Sequence, residues 1–253
     1  MSPTPPIGIL SAIPEELKHL EDREQGSEAL AGLVFHRGRI EGRDAVFVET
    51  GIGKVNAALT ATILAERYAC RALVFCGVAG GLDPALGIGD VVVATRLVQH
   101  DYGALKAGRL TVYQPGMPPM PGMDASHGFD MPLALQEKLR ARLSGIVLPA
   151  IEPAVSGAAQ RQPLLHFGTV LTGDSFVNDD AERERLHRSF NALAVEMEGA
   201  AVAQVAQRFR LPWLVVRCLS DLAGADSHLN FPAFLPLAAE AATLVVRQAV
   251  HEI

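Results

Sequence analysis

The chain has 253 residues, of which 49% are hydrophobic and 20% are charged, and its formal net charge is −6. A chain of this size can bury one substantial core, and its acidic balance disfavours a nucleic-acid or anionic-membrane surface. Because we find neither a signal-peptide pattern nor a convincing membrane span, we expect a cytoplasmic protein that binds no nucleic acid and no membrane.

Three cysteines, Cys70, Cys76 and Cys218, each lie in an apolar segment. An odd and sparse count predicts buried thiols in a reducing compartment rather than a disulfide framework. Since burial in apolar surroundings disfavours a thiolate, a catalytic cysteine is disfavoured.

Short apolar runs alternate with helical patterns along most of the chain. We predict strands at 7–11, 34–40, 45–50, 72–77, 90–95, 168–171, 192–195 and 213–219. We predict helices from Pro14 and at 54–68, 132–143, 179–188, 197–209 and 231–250. Apolar strands separated by helices indicate a single α/β domain over residues 1–253, with a twisted, mixed central sheet flanked by helices.

Two stretches, 103–131 and 144–165, interrupt this pattern and are rich in Pro, Gly or Ala. Long irregular segments in compact domains are commonly functional lids or mobile loops. We therefore expect irregular inserts at both places.

Two glycine-containing segments follow predicted strands. Residues 50–54 (TGIGK) imitate a dinucleotide-binding fingerprint, but Asn56 occupies the place of the third glycine, so a structural turn is favoured. Residues 76–81 (CGVAGG) are interpreted either as a flexible turn or as backbone that a ligand can approach closely.

Charged residues follow three other predicted strands. Glu16 fits either the first turn of a surface helix or a site at a strand end. Glu198 fits a helix-start charge or an acceptor for paired ribose hydroxyls, and Asp221 fits a helix cap or a protonated general acid. His228 is interpreted as a hydrogen-bonding loop residue, and no metal site is predicted because a second ligand at suitable spacing is missing.

The order of these motifs resembles the 5′-methylthioadenosine/S-adenosylhomocysteine nucleosidases, within the purine nucleoside phosphorylase superfamily. The matching segments are IGILSAIPEEL (7–17), ETGIGKVNAA (49–58), GVAGGLDPALGIGDVVVA (77–94), GTVLTGDSFVND (168–179), VEMEGAAVAQVAQ (195–207) and PWLVVRCLSDLAGADSHLNFPAFL (212–235). Together they cover both ends and the centre of the chain.

The resemblance implies hydrolysis of the N-glycosidic bond of an adenine nucleoside, without metal or organic cofactor, by a homodimer. It implies that Glu16 activates the water and that Asp221 protonates N7 of adenine. The implied substrate contacts are Ser220 supporting Asp221, Glu198 and Met197 at the ribose, Phe176 and Val177 at the base, Arg217 near the water, and the backbone of Ala79 and Gly80.

Two departures from the family pattern bear on the pocket. Val78 stands where members usually carry serine, and Ile13 stands where they usually carry methionine. They leave the 5′ substituent of the substrate open. The alternatives are a phosphate-dependent phosphorylase, a hydrolase of another purine nucleoside such as adenosine or a futalosine-like compound, and a nucleoside-binding module without catalysis. Glu16 and the missing hydroxyl at Val78 favour hydrolysis over phosphorolysis.

Overall fold

A computed structural model describes residues 4–17, 20, 25–117, 127–151 and 161–253, except for the side chains of residues 228–233. The strands are β1 (Ile7–Ser11), β2 (Gly26–Leu30), β3 (Leu33–Ile40), β4 (Arg43–Glu49), β5 (Ala72–Gly81), β6 (Val91–Gln99), β7 (Gly103–Lys106), β8 (Arg109–Val112), β9 (Phe129–Asp130), β10 (Leu165–Thr172), β11 (Ala192–Glu196) and β12 (Trp213–Asp221). The helices are α1 (Pro14–Leu17), α2 (Lys54–Glu66), α3 (Leu133–Arg142), α4 (Asp180–Phe190), α5 (Gly199–Phe209) and α6 (Ser227–Ala249), followed by a 3₁₀ turn (Val250–Glu252).

The central sheet is mixed and partly closed. Its strand order is β11-β10-β6-β12-β5-β1-β4-β3-β2, with β9 added beside β6. β11 also pairs antiparallel with β5, where Ala194 lies opposite Gly81 and Val195 lies opposite Gly80. Strands β5, β12, β6, β10 and β11 therefore form a closed ring, and the remaining strands extend from β5 as an open sheet. The predicted α/β class with a mixed central sheet is confirmed.

β5 is longer than the sequence predicts, because the glycine-rich segment after Gly77 continues the strand to Gly81 instead of forming a turn. A Cβ on Gly80 would lie 3.0 Å from both Asp221 Oδ1 and the Cβ of Ala223. Small residues thus let β5 approach the end of β12 closely. Of the two interpretations of this segment, the flexible turn is wrong, and the backbone of Ala79 and Gly80 lines a cavity.

Four strands, β2, β7, β8 and β9, were not predicted. β2 has the polar sequence GSEAL and is largely exposed, so it lacks the apolar pattern that identifies the inner strands. Within 103–131, β7 and β8 form a hairpin, so the whole stretch is not irregular. Ala107 and Gly108 have φ of 50° and 75°, the positive values that a tight two-residue hairpin turn requires. Residues 118–126 and 152–160 of the two predicted inserts lie outside the described residues.

The core is a nearly continuous apolar cluster between sheet and helices. Helix α6 packs on β12 and β5, and α2 packs against α5. All three cysteines are buried with free thiols, and burial raises the pKa of the Cys70 thiol to about 12. None of the helices in the described part of the chain has the length and apolar character to cross a bilayer. The backbone of His228 belongs to α6, but its side chain lies outside the described residues.

Candidate active site

A cavity of about 490 Å³ opens where the ends of several sheet strands meet. All ten predicted site residues line it: Glu16, Ala79, Gly80, Phe176, Val177, Met197, Glu198, Arg217, Ser220 and Asp221. The remaining lining residues are Ala12, Ile13, Ile52, Val78, Ser175, Val195 and Glu196. Residues separated by more than 200 positions are thus brought together, and the closed ring of strands forms much of the wall.

Glu16 lies in the short helix α1, which starts directly after β1 and turns this side chain inward. Its Oε2 accepts hydrogen bonds from the amides of Ala12 (2.8 Å) and Ile13 (3.3 Å), and its Oε1 accepts one from Val78 (3.0 Å). Only 1% of the residue is exposed. Burial raises the pKa of Glu16, while nearby Arg217 and the three amides oppose that rise. The neighbouring Glu15 is exposed, so the surface interpretation applies to that residue only.

Arg217 is a fully buried cation in the middle of β12. Its Nη2 forms ion pairs with Glu196 and, at 3.2 Å, with Glu198. Its guanidinium carbon lies 4.3 Å from the centroid of the Phe75 ring. A Cβ on Gly77 would overlap Arg217 Nη1 and would lie 2.7 Å from Glu16 Oε1. Glycine at this position therefore allows Arg217 and Glu16 to approach the same point of the cavity wall.

Glu196, at the end of β11, was missed as a site residue by the sequence reasoning. Its carboxylate accepts hydrogen bonds from the amides of Gly199 (2.7 Å) and Glu198 (3.1 Å) and from the hydroxyl of Thr172, besides the ion pair with Arg217. The carboxylate thus caps the start of α5 and balances the buried cation. A usable signal existed in the sequence, since two opposite charges in buried apolar strands are uncommon unless they pair.

Glu198 connects this ion network to the turn before α2. Its Oε1 accepts a hydrogen bond of 2.8 Å from the amide of Gly53, whose φ of 102° favours glycine. Burial raises the pKa of Glu198 to about 7, with Arg217 lowering it and Glu196 raising it further. The turn at 50–54 is structural, as predicted, and in addition it holds a site carboxyl.

Asp221, at the end of β12, has different surroundings. Its Oδ1 accepts a hydrogen bond from the amide of Ala223 (2.8 Å), and its Oδ2 accepts one from the hydroxyl of Ser220 (3.0 Å). Only 2% of the residue is exposed, and burial raises its pKa although these neutral donors oppose the rise. A buried carboxyl with neutral neighbours is suited to hold and donate a proton.

The remaining wall is apolar and suits a flat aromatic ligand. Phe176, Val177 and Met197 line it, and 53% of Phe176 is exposed. Val78 uses its backbone amide for Glu16, and its side chain offers no hydroxyl to the cavity.

The comparisons with known proteins agree with this fold and cavity. The model of the Phosphorylase superfamily matches residues 6–251. The 5′-methylthioadenosine/S-adenosylhomocysteine nucleosidase of Mycobacterium tuberculosis is 44% identical over 244 residues, which cover 95% of each chain. That of Bacillus subtilis is 34% identical over 251 residues, covering 98% of this chain and 99% of the other.

Solved structures show the same similarity. A Helicobacter pylori 5′-methylthioadenosine/S-adenosylhomocysteine nucleosidase, solved in complex with a substituted pyrrolidin-3-ol, has a TM-score of 0.81 at 30% identity and full coverage of both chains. The futalosine hydrolase of H. pylori has a TM-score of 0.79 at 30% identity, covering 98% of this chain and 97% of the other. The chain belongs to the 5′-methylthioadenosine/S-adenosylhomocysteine nucleosidase family of the phosphorylase superfamily.

Proposed function

We propose that the protein hydrolyses the N-glycosidic bond of 5′-methylthioadenosine and S-adenosylhomocysteine and releases adenine. The supporting observation is that one cavity holds two buried carboxyl groups with different neighbours: Glu16 near the cation Arg217, and Asp221 among neutral donors. The names of the relatives agree with this chemistry.

Asp221 is proposed as the general acid. Adenine is a poor leaving group unless it is protonated, and a carboxyl whose pKa is raised by burial can donate a proton to N7 as the glycosidic bond breaks. Ser220 orients the carboxyl through its hydroxyl, which also lies 3.5 Å from the carbonyl oxygen of Ala79.

Glu16 is proposed as the group that activates water. Loss of the base leaves an oxocarbenium-like sugar, and an ionised carboxylate can take a proton from the attacking water, as in inverting glycoside hydrolases. Arg217 favours the ionised form of Glu16 and lies beside it at Gly77. Proton transfers of this kind contribute about 10²–10⁴ in rate each.

The other cavity residues are proposed to bind and orient the nucleoside. Glu198 accepts the ribose hydroxyls, Met197 packs under the sugar, Phe176 stacks on the base, and the backbone of Val177 hydrogen-bonds to it. The backbone of Ala79 and Gly80 completes the wall. Holding the reacting groups in place reduces the entropic part of the barrier.

Hydrolysis is favoured over phosphorolysis by the charges around the proposed water. A phosphate ion needs cationic and hydroxyl donors. Within the described cavity wall, the cation Arg217 already pairs with Glu196 and Glu198, while Glu16 would repel an anion. The side chain of Val78 also supplies no hydroxyl donor for a phosphate ion.

The test is adenine release from 5′-methylthioadenosine, S-adenosylhomocysteine and adenosine, and hypoxanthine release from inosine, each with and without phosphate. We expect release from the two thio-nucleosides that does not depend on phosphate. Release that requires phosphate would contradict hydrolysis, and no release from either thio-nucleoside would contradict the substrate class.

We also propose that the protein is a homodimer. Val55 and Leu59, one helical turn apart on α2, are 79% and 49% exposed, and Leu105 of the β7–β8 hairpin is 73% exposed. Exposed apolar residues on one face of a helix are typical of an interface between subunits. Sedimentation of the wild type should give the mass of a dimer, and Val55→Glu/Leu59→Glu should give a monomer. A monomeric wild type would contradict this proposal.

The cytoplasmic location stays a prediction. It is supported by the three free, buried cysteines, which fit a reducing compartment. Fractionation of the source cells with an antibody to the chain would test it.

A further inference from the structure

Three charged residues from distant parts of the chain form a network beside the cavity. The ammonium group of Lys54, the first residue of α2, lies 2.5 Å from Asp101 Oδ1 and 3.6 Å from Asp174 Oδ2. Asp101 follows β6, and Asp174 follows β10. The network therefore joins the start of one helix to the ends of two strands.

Backbone hydrogen bonds fix the same three residues. The amide of Lys54 donates to Asp174 Oδ1 at 2.9 Å, and the amide of Asp174 donates to Asp101 Oδ2 at 2.9 Å. Since Gly53 has no side chain that could cap α2, Asp174 caps the helix from another segment. Hydrogen bonds from Lys54 and from the Asp174 amide keep the pKa of Asp101 below its usual value, although partial burial acts in the opposite direction.

The three residues of the network are next in sequence to two parts of the chain that line or hold the cavity. Asp174 directly precedes Ser175, Phe176 and Val177, which line the cavity. Lys54 directly follows Gly53, whose amide holds Glu198. One set of contacts thus joins the segment that carries Phe176 to the turn whose amide holds Glu198.

The support under the network is rigid. The amide of His100, the residue before Asp101, donates to the carbonyl of Thr172 at 3.0 Å. His100 is 7% exposed, and a Cβ on Gly173 would overlap its Nε2. The residues directly before Asp101 and Asp174 are therefore packed closely against each other.

We propose that Asp174, with Lys54 and Asp101, is a positioning group that holds the Phe176 segment and Glu198 at the spacing the nucleoside requires. This inference rests on the proposed function of the cavity. None of the three residues touches the reacting atoms, so their effect is on substrate binding. Removing the network lets the segment 175–177 move away from the turn at 51–54 and weakens contacts to the base and ribose together.

The test uses Asp174→Asn, Lys54→Met and the double variant Lys54→Met/Asp101→Asn. We expect KM for 5′-methylthioadenosine to rise about tenfold in each, with kcat within about twofold of wild type and an unchanged pH profile. The KM of the double variant should be no higher than that of Lys54→Met, because the effects of substitutions within one network are not additive. Lys54→Arg, which keeps the charge, should recover most of the affinity.

The matched control is Arg67→Met, which removes an ion pair of 2.9 Å with Glu28 at the other end of the same helix. Binding of a non-hydrolysable C-nucleoside analogue of adenosine, followed by fluorescence, separates affinity from turnover. If Asp174→Asn and Lys54→Met bind the analogue as tightly as Arg67→Met, the inference is overturned. If Asp174→Asn does not fold, Lys54→Met decides, since it leaves the backbone cap in place. An inactive wild type that also fails to bind the analogue would contradict the proposed function itself.

Discussion

The two carboxyl-bearing regions of the cavity are both buried, and they differ in the charge of their neighbours. Around Arg217, Glu196 and Glu198 are paired with a buried cation and Glu16 lies nearby, so negative charge is compensated. Around Asp221, the described partners are an amide and hydroxyl groups, and burial favours the protonated form. A cation beside one buried carboxyl and neutral donors beside the other are the kind of difference that separates a base from an acid within one site.

The most severe test of this comparison is Asp221→Asn. The amide keeps the shape of the side chain and cannot donate an acidic proton to the base, so we expect kcat to fall about 10³-fold with nucleoside binding retained. Single-turnover adenine release and binding of an inert analogue would measure the two effects. Turnover near the wild-type rate would remove Asp221 from the mechanism.

Glu16→Gln tests the other region. It keeps hydrogen-bonding atoms near Ala12, Ile13 and Val78 and removes the negative charge, so we expect a loss of about 10²-fold in kcat with modest change in KM. Because the variant removes the repulsion toward an anion, the assay is repeated with added phosphate. A variant with the wild-type rate in buffer alone would refute the role of Glu16.

Glu196→Gln changes the charge balance around Arg217 and leaves Glu16 and Asp221 in place. Glu196 raises the pKa of Glu198, which is about 7, and it also neutralises Arg217. Loss of its charge therefore lowers the pKa of Glu198, and Glu198 stays ionised at lower pH. We expect the acidic limb of the kcat/KM profile to move to lower pH, and the free energy of unfolding to fall by about 3 kcal/mol as a buried pair is broken.

Thr172→Val is the control for that variant, since it removes a hydrogen bond to Glu196 and leaves every charge in place. Its acidic limb should stay at the wild-type position, with a smaller loss of stability in urea unfolding. If the acidic limb of its kcat/KM profile moved as far as that of Glu196→Gln, the position of the limb would depend on the geometry around Glu196 and not on its charge.

Much of the fold could be predicted because the inner strands are buried on both faces and appear as apolar runs. β12 and most of β5 are examples, since nearly every residue in them is buried. β2 could not be predicted because its residues face solvent. The closure of the sheet between β11 and β5 also escaped prediction, because a pairing of four residues between distant strands leaves no periodic pattern.

The site residues were predicted from motifs, but the motifs did not predict which residues would be their partners in hydrogen bonds and ion pairs. A charge inside an apolar strand marks Arg217 as unusual, and a charge at the end of the same strand marks Asp221, but neither pattern identifies their partners. That Glu196 pairs with Arg217, or that Lys54 meets Asp101 and Asp174, depends on how segments far apart in the sequence come together in the folded chain. The roles assigned to the ten site residues stay predictions until the variants are measured.

The closed ring of strands also affects how the molecule behaves at high concentration. Because β11 also pairs with β5, the sheet of the described residues has no free edge strand on that side. Its edge strand on the other side is β2. This edge is short and polar, and its Glu28 is held by Arg67 and by the hydroxyl of Tyr68. Short, charged edges resist pairing with the edges of other molecules, so this end of the sheet is protected against aggregation.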